Sequence, residues 1–405
     1  MARIQSKVVK VLALGQILNG IGVAGTVAAG SLLVSSISKS ETLAGLAQTS
    51  AVLGAAAMAL PLSRLTQRGG RRLGLSMGYS VGLIGALFAI IGGTQRILFL
   101  MLLGTFMVGA ASAAGYQARF AAVDLATNEL RSRQLAFVVW GSTFGAVAGP
   151  NLMQPSGNLA QTLGLPRLVG PYIIAAISLA LAIIVIQLFL RPDPYLTAVD
   201  ARGTGSVHHP VLPAREALRL IRQNPLALFA IASIAIGHVV MVSIMSMTPI
   251  HMAHAEMTLT IIGLVISIHI AGMYALSPVV GYLSDKLGRI KVIQVGISIL
   301  LLSALIAGTS SPHDARRLGV GLFLLGLGWS CTLIAGSALL SESVGSELRP
   351  SSQGASDLVM NLMGAGGGAL AGIVIGVLGY GWLCVFASVP VFSLAIWSTR
   401  IRRVS

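Results

Sequence analysis

Gly281-Tyr282-Leu283-Ser284-Asp285-Lys286-Leu287-Gly288-Arg289-Ile290-Lys291 is a charged, glycine-punctuated turn set between two apolar runs, Leu259–Leu283 and Ile290–Gly308. A helix of about 20 apolar residues crosses the ~30 Å hydrocarbon core of a bilayer. Within lipid such a segment satisfies its own backbone only as a helix. The turn has an earlier relative. Residues 65–72 read Leu-Thr-Gln-Arg-Gly-Gly-Arg-Arg, residues 283–290 read Leu-Ser-Asp-Lys-Leu-Gly-Arg-Ile, and the offset is 289 − 71 = 218. Glu129-Leu130-Arg131 recurs at the same offset as Glu347-Leu348-Arg349. Two ungapped matches at one offset make the two halves copies of one structural unit.

The rest of the chain carries the same signal. Apolar residues make up 55% of the 405 and charged residues 10%, against about 25% charged in a soluble globular domain. Val169–Leu190, Leu226–Ile250 and Gly319–Leu340 are further long apolar runs. Spans are expected near 10–34, 42–62, 72–93, 97–121, 134–155, 168–190, 226–250, 259–283, 290–308, 318–340, 353–378 and 380–398. The fold class that follows is an all-α membrane protein of twelve transmembrane helices in two pseudo-symmetric six-helix bundles. Residues 1–190 form the N-terminal bundle, 191–224 a cytoplasmic linker and 225–405 the C-terminal bundle. The basic stretch Met1–Lys10 precedes an apolar segment, Val11–Val34, long enough to span, so it reads as the first helix and not as a cleaved leader.

The net charge of +15 does not point to nucleic acid, because the cations alternate with the spans instead of clustering on one face. All 27 Lys and Arg residues except Lys39, Arg96, Arg167, Arg316 and Arg317 fall on one side of the expected topology. That bias places both termini in the cytoplasm. Cys331 and Cys384 lie inside expected spans and form no secreted disulfide framework. No constellation of nucleophile, base and phosphate loop is visible, so the chain is read as a non-enzyme without a resident cofactor. It is expected to work as a monomer in the lipid bilayer of the bacterial inner membrane.

Gly281–Lys291 resembles the signature loop of the major facilitator superfamily, a G-x-L-A-D-R-x-G-R-R pattern, and lies where that family carries its second copy. The first copy, Ser63–Arg72, departs from the pattern with Ser63 in place of Gly and Gln67 in place of Asp. The resemblance implies a secondary transporter. Physically, Asp285 is expected to face the positive N-terminal end of a neighbouring helix, the fifth span near Arg133, a contact of ~0.3–1 kcal/mol. Gly281, Asp285, Gly288, Arg289 and Arg71 then form a conformational latch, weaker in the first copy because Gln67 is uncharged. The alternative is a charged turn that only fixes topology.

No carboxylate falls at mid-depth. Arg119, Asp124 and Asp357 lie near the cytoplasmic ends of the fourth and eleventh spans and are candidates for ion pairing or proton coupling; the competing reading is snorkelling to water. The seventh span carries His238, Met241 and Met245, spaced to share a helix face, and the eighth carries His269 and Met273 four apart. At 1.5 Å per residue, Met241 lies ~22 Å and His269 ~18–20 Å from the cytoplasmic ends of their spans, so the pairs can converge near mid-membrane. Thioether and imidazole suit Cu(I), although methionine is also an ordinary gap-filler. Met241-x-x-x-Met245 and His269-x-x-x-Met273 resemble the paired motifs of the CcoA-type copper importers, a branch of the same superfamily. By that resemblance Met241, Met245, His269 and Met273 are ligands for transported copper. His238, His251, His254 and Cys331 are further candidates, with His251 and His254 at the outer end of the seventh span as an entry site. Gly145-Ala146-Val147-Ala148-Gly149-Pro150 is similar to the antiporter motif of proton-coupled exporters, but Thr105 stands about where exporters carry an arginine. The expected function is copper import by alternating access. The alternative is an importer or proton-coupled exporter of a small organic molecule, riboflavin-like or a drug.

Overall fold

The chain is helical almost throughout. A computed structural model describes residues 2–39, 43, 45–201, 219, 221–253, 255–257, 259–345 and 348–401. Among these the helices are α1 (Ala2–Ser38), α2 (Gly45–Gln95), α3 (Leu98–Ala121), α4 (Arg131–Thr162), α5 (Gly170–Phe189), α6 (Pro194–Asp200), α7 (Pro225–Ala253), α8 (Leu259–Tyr274), α9 (Ser277–Leu287), α10 (Arg289–Gly308), α11 (Ala315–Ser343), α12 (Arg349–Leu378) and α13 (Tyr380–Ile401). Ten helices among the described residues are long and apolar enough to cross a membrane. α2 holds the second and third expected spans as one element broken at Gly70, whose φ of 83° and ψ of 176° are not helical. α4 covers the fifth expected span but is not among the ten; Arg131, Arg133, Asn151 and Gln154 dilute its apolar length.

The chain divides into two compact units. Unit 1 is Met1–Ala126, Gly141–Ala217 and Ser346–Leu358; unit 2 is Thr127–Trp140, Leu218–Gly345 and Val359–Ser405. The first turns of α4 therefore belong to unit 2, and the first turns of α12 to unit 1. In unit 1, α2 lies along α3, and α1 packs on α5. Ala29, Leu33, Val34, Met101, Val169 and Tyr172 form a buried cluster there.

In unit 2, α11 is the helix on which the others assemble, with α10, α8 and α7 all packed against it. Sequence reasoning set the seventh and eighth spans side by side. In the structure α7 and α8 meet each other little and reach one another chiefly through α11. The cause is small residues at the contacts, which let helix backbones approach closely in a membrane protein. A Cβ on Gly272 would lie 2.2 Å from the Phe323 carbonyl oxygen, and one on Gly326 would lie 2.5 Å from the His269 carbonyl oxygen.

Candidate functional site

Two clasps, one in each unit, follow from the repeated turn. In unit 2 the chain reverses at Gly288, where φ is 98°, a left-handed conformation that glycine adopts without strain. This carries α9 to the start of α4. A Cβ on Gly281 would lie 2.5 Å from the Ala136 Cβ, so the two helices touch at this point. Asp285, with its side chain 1% exposed, accepts hydrogen bonds from the backbone N–H groups of Ser132 (2.9 Å) and Arg133 (2.8 Å). These are orphan donors in the first turn of α4, at its positive end. Bonds of this charge-assisted type contribute ~1.5–3 kcal/mol each. Arg289 completes the clasp: its guanidinium lies 3.1 Å from Asp285 and 2.8 Å from Glu342, and donates to the Asn128 carbonyl.

Unit 1 repeats the geometry with different chemistry. Gly70 is the counterpart of Gly288 at the 218-residue offset (288 − 70 = 218), and its φ is also positive. Gln67 stands where Asp285 does and donates from its amide to the Ser351 hydroxyl at 2.6 Å. The reason lies on the receiving helix. The counterparts of Ser132 and Arg133 are Pro350 and Ser351, and proline has no N–H. A carboxylate at 67 would meet one backbone donor where Asp285 meets two.

Charge in this clasp resides instead on Arg71. Its Nε lies 2.7 Å from Asp124 Oδ2, and its Nη2 lies 3.1 Å from Asp124 Oδ1 and 2.6 Å from Gln353 Oε1. The backbone N–H groups of Arg71 and Arg72 donate to Asp193, which also caps α6. Arg71–Asp124 and Arg289–Glu342 are the same pair at the same offset (342 − 124 = 218), so the repeat itself contains the signal that pairs them. Sequence reasoning named Arg119, Asp124 and Asp357 together as ion-pair candidates; in the structure Arg119 pairs with Asp357, at 2.5 Å, and its guanidinium lies 4.6 Å from the Phe120 ring centre.

The soft-ligand candidates lie in unit 2. His269 is fully buried, and its Nδ1 lies 2.8 Å from the Leu322 carbonyl oxygen. A carbonyl only accepts, so Nδ1 carries the proton and Nε2 presents a lone pair; no protein group bonds to Nε2. Met241 and Met273 are buried and Met245 is half-buried. His238 is committed elsewhere. Trp329 Nε1–H donates to His238 Nδ1 at 3.2 Å, so the neutral ring keeps its proton on Nε2 and offers no spare lone pair. Tyr274 packs edge-on against Trp329 at 5.7 Å, extending an aromatic cluster that sequence reasoning did not single out. His251 stacks on Tyr380 at 4.2 Å. Cys331 packs against α10, where a Cβ on Gly296 would lie 2.7 Å from the Cys331 Cβ. His254 lies outside the described residues. Among the described residues no three His, Cys, Asp or Glu side chains gather as a metal site.

The sequence matches the family model of the Major Facilitator Superfamily over residues 12–367 and 244–404. It is 36% identical to an uncharacterized MFS-type transporter, YdeG of Bacillus subtilis, over 96% of this chain and 91% of that protein. It is 33% identical to a second, YddS, from the same organism, over 98% of this chain and 92% of that one. At 25% identity it is similar to the riboflavin transporter RfnT of Brucella anthropi, over 86% of this chain and 84% of the relative. The proton:xylose symporter XylE shares the fold, with a TM-score of 0.76 at 14% identity over 98% of this chain and 96% of that one. The Escherichia coli fucose:proton symporter FucP does so with a TM-score of 0.73 at 16% identity over 98% and 97%. The apolar helices, the duplicated turn with its two clasps and these relatives agree: the chain is a multi-pass membrane protein and belongs to the Major Facilitator Superfamily of secondary transporters, not to the enzymes.

Proposed function

We propose that this transporter imports copper across a bacterial inner membrane, as a monomer of twelve spans in two six-helix halves with both termini in the cytoplasm. The observation that carries this reading is His269. Metal-binding histidines hold one ring nitrogen on a backbone carbonyl, which fixes the tautomer and aims the other at the metal. His269 has that arrangement, with Nδ1–H on Leu322 and a buried Nε2 that meets no protein donor. Met273, one turn away, supplies neutral sulfur of the kind Cu(I) prefers; Met241 and Met245 lie on α7, which meets α8 little, so the reading requires α7 and α8 to close on the metal during transport. Neutral ligands also suit a carrier that must release its cargo. Arg119–Asp357 is the candidate for coupling transport to an ion gradient, because a buried pair is costly to break unless both partners are rearranged. Cellular copper accumulation tests the site. The Met241→Ala/Met273→Ala variant, expressed at the wild-type level, is expected to lose it; unchanged accumulation reduces the methionines to packing.

A second reading, carriage of a flat organic solute, is favoured by one relative and one cluster. RfnT is a riboflavin transporter, and His238, Trp329 and Tyr274 form an aromatic wall in unit 2. Uptake of riboflavin by a strain that cannot make it separates this reading from the copper one.

A further inference from the structure

The two duplicated turns present the same backbone to different surroundings. In unit 1 the helical stretch that follows Gly70 begins with Arg71 and Arg72, and their N–H groups donate to the two oxygens of Asp193, at 3.1 and 2.7 Å. The carboxylate lies close against the turn: a Cβ on Gly70 would lie 2.5 Å from Asp193 Cγ and 2.5 Å from its Oδ2. Orphan N–H groups and the positive end of a helix favour an anion at such a place. Unit 1 therefore shows which anion this turn takes and how it is held.

In unit 2 the counterparts at the same offset are Gly288, Arg289 and Ile290. The two glycines share a positive φ, 83° and 98°. Gly288 is the N-cap of α10, and among the described residues no side chain caps that helix. A Cβ on Gly288 would meet nothing within 4 Å. The turn opens on a cleft of about 630 Å³ lined by Gly288, Arg289, Ile290, Lys291 and Asn128. Where unit 1 seats its own acid, unit 2 has the same pair of donors and room beside them.

The charges around the cleft narrow the ligand. Asp285 and Glu342 line it and are both paired with Arg289, at 3.1 and 2.8 Å. Glu129 also lines it, and Lys291 is exposed at its edge. Three acids against two cations tolerate one added negative charge better than two. Two N–H groups on adjacent residues match the two oxygens of one carboxylate, as Asp193 does.

We infer that the start of α10, at Gly288, Arg289 and Ile290, is a binding site for the carboxylate of a small soluble monoacid, held by the backbone N–H groups of Arg289 and Ile290 with Lys291 beside them. The bound acid fastens the Gly288 turn, and with it the Arg289 end of the unit 2 clasp. It is an effector of the transporter and not its cargo, so the inference is independent of both the copper and the organic-solute readings.

Saturation-transfer NMR of the purified full chain in nanodiscs of zwitterionic lipid tests it, with acetate as the probe and acetamide as the control that keeps the shape and loses the charge. Acetate is expected to bind saturably and acetamide at least about tenfold more weakly, because hydrogen bonds to a charged acceptor are the stronger ones. Ile290→Pro deletes one of the two donors in a first helical turn, where proline is tolerated, and is expected to weaken acetate by about tenfold. Lys291→Gln changes an exposed side chain and is expected to weaken acetate by about threefold; it decides the matter if Ile290→Pro does not fold. No saturable acetate binding by the wild type, equal binding of acetate and acetamide, or wild-type acetate affinity in the deciding variant overturns the assignment. Uptake of copper or solute plays no part in the readout, so the transport readings stand or fall separately.

Discussion

The duplicated arginine–carboxylate pair offers an internal control, because one chemistry sits in two environments. Arg71 and Asp124 have side chains 1% and 2% exposed, and the pair is bidentate at 2.7 and 3.1 Å. Arg289 and Glu342 are 10% and 25% exposed, and both Arg289 bonds go to one Glu342 oxygen, at 3.1 and 2.8 Å. Removing one partner of a buried pair strands the other charge and costs ~3–5 kcal/mol, whereas replacing both with apolar residues of similar size is near neutral. Exposed pairs couple by ~0.2–1 kcal/mol. Asp124→Leu is therefore expected to destabilise by ~3–5 kcal/mol, softened by the Gln353 bond that Arg71 keeps and by the nearby Asp193 carboxylate. Arg71→Met with Asp124→Leu is expected to recover most of that loss, for a coupling energy of ~3 kcal/mol in the double-mutant cycle. The same cycle on Arg289 and Glu342 is expected to stay below ~1.5 kcal/mol. Reversible unfolding in mixed micelles, with SDS as the denaturant, reads both. Equal coupling in the two cycles, or a value under ~1 kcal/mol for Arg71 and Asp124, would refute the argument that burial sets the difference.

Four further outcomes are expected. Gly281→Ala drives a Cβ to 2.5 Å from Ala136 and is expected to cost ~1–3 kcal/mol by overpacking. Gly366→Ala on α12, which meets nothing within 4 Å, is expected to gain ~0.5–1 kcal/mol from helix propensity in the same unfolding assay. Gln67→Asp alone is expected to leave unfolding unchanged or worse, while Gln67→Asp with Pro350→Ser restores the second backbone donor and is expected to gain at least ~1 kcal/mol over the single variant. Gly326→Ala is expected to part α8 from α11, break the His269–Leu322 bond and lower copper accumulation along with stability, read by uptake at matched expression.

Much of the fold was legible because membrane spans are written locally. Runs such as Leu226–Ile250 declare a helix without knowledge of any neighbour. The repeat offset was equally plain, and it marks Gly70 and Gly288 as turn glycines. The fifth span was harder: its polar residues are spent on contacts such as Ser142 with Gln16, so its hydropathy understates it. Long-range pairing was the weak point. Arg119, Asp124 and Asp357 were marked together as candidates, but nothing local says that Arg119 pairs with Asp357, 238 residues away, and Asp124 with Arg71. Neighbouring spans were likewise taken as neighbours in space, and α11 came between α7 and α8. Trp329 carries no motif; only coordinates show that it holds His238.

Pro350 shows how a duplicated architecture loses its symmetry. One imino acid silences a donor on the receiving helix, and an acid at position 67 then has little to gain from its charge. Selection at the two turns should therefore run on different letters: a carboxylate is indispensable at 285, whereas at 67 any short hydrogen-bonding residue suffices so long as the proline stays. A homologue that regains the acid at 67 should be one that has also given up the proline, and the covariation of those two columns records which change opened the way for the other.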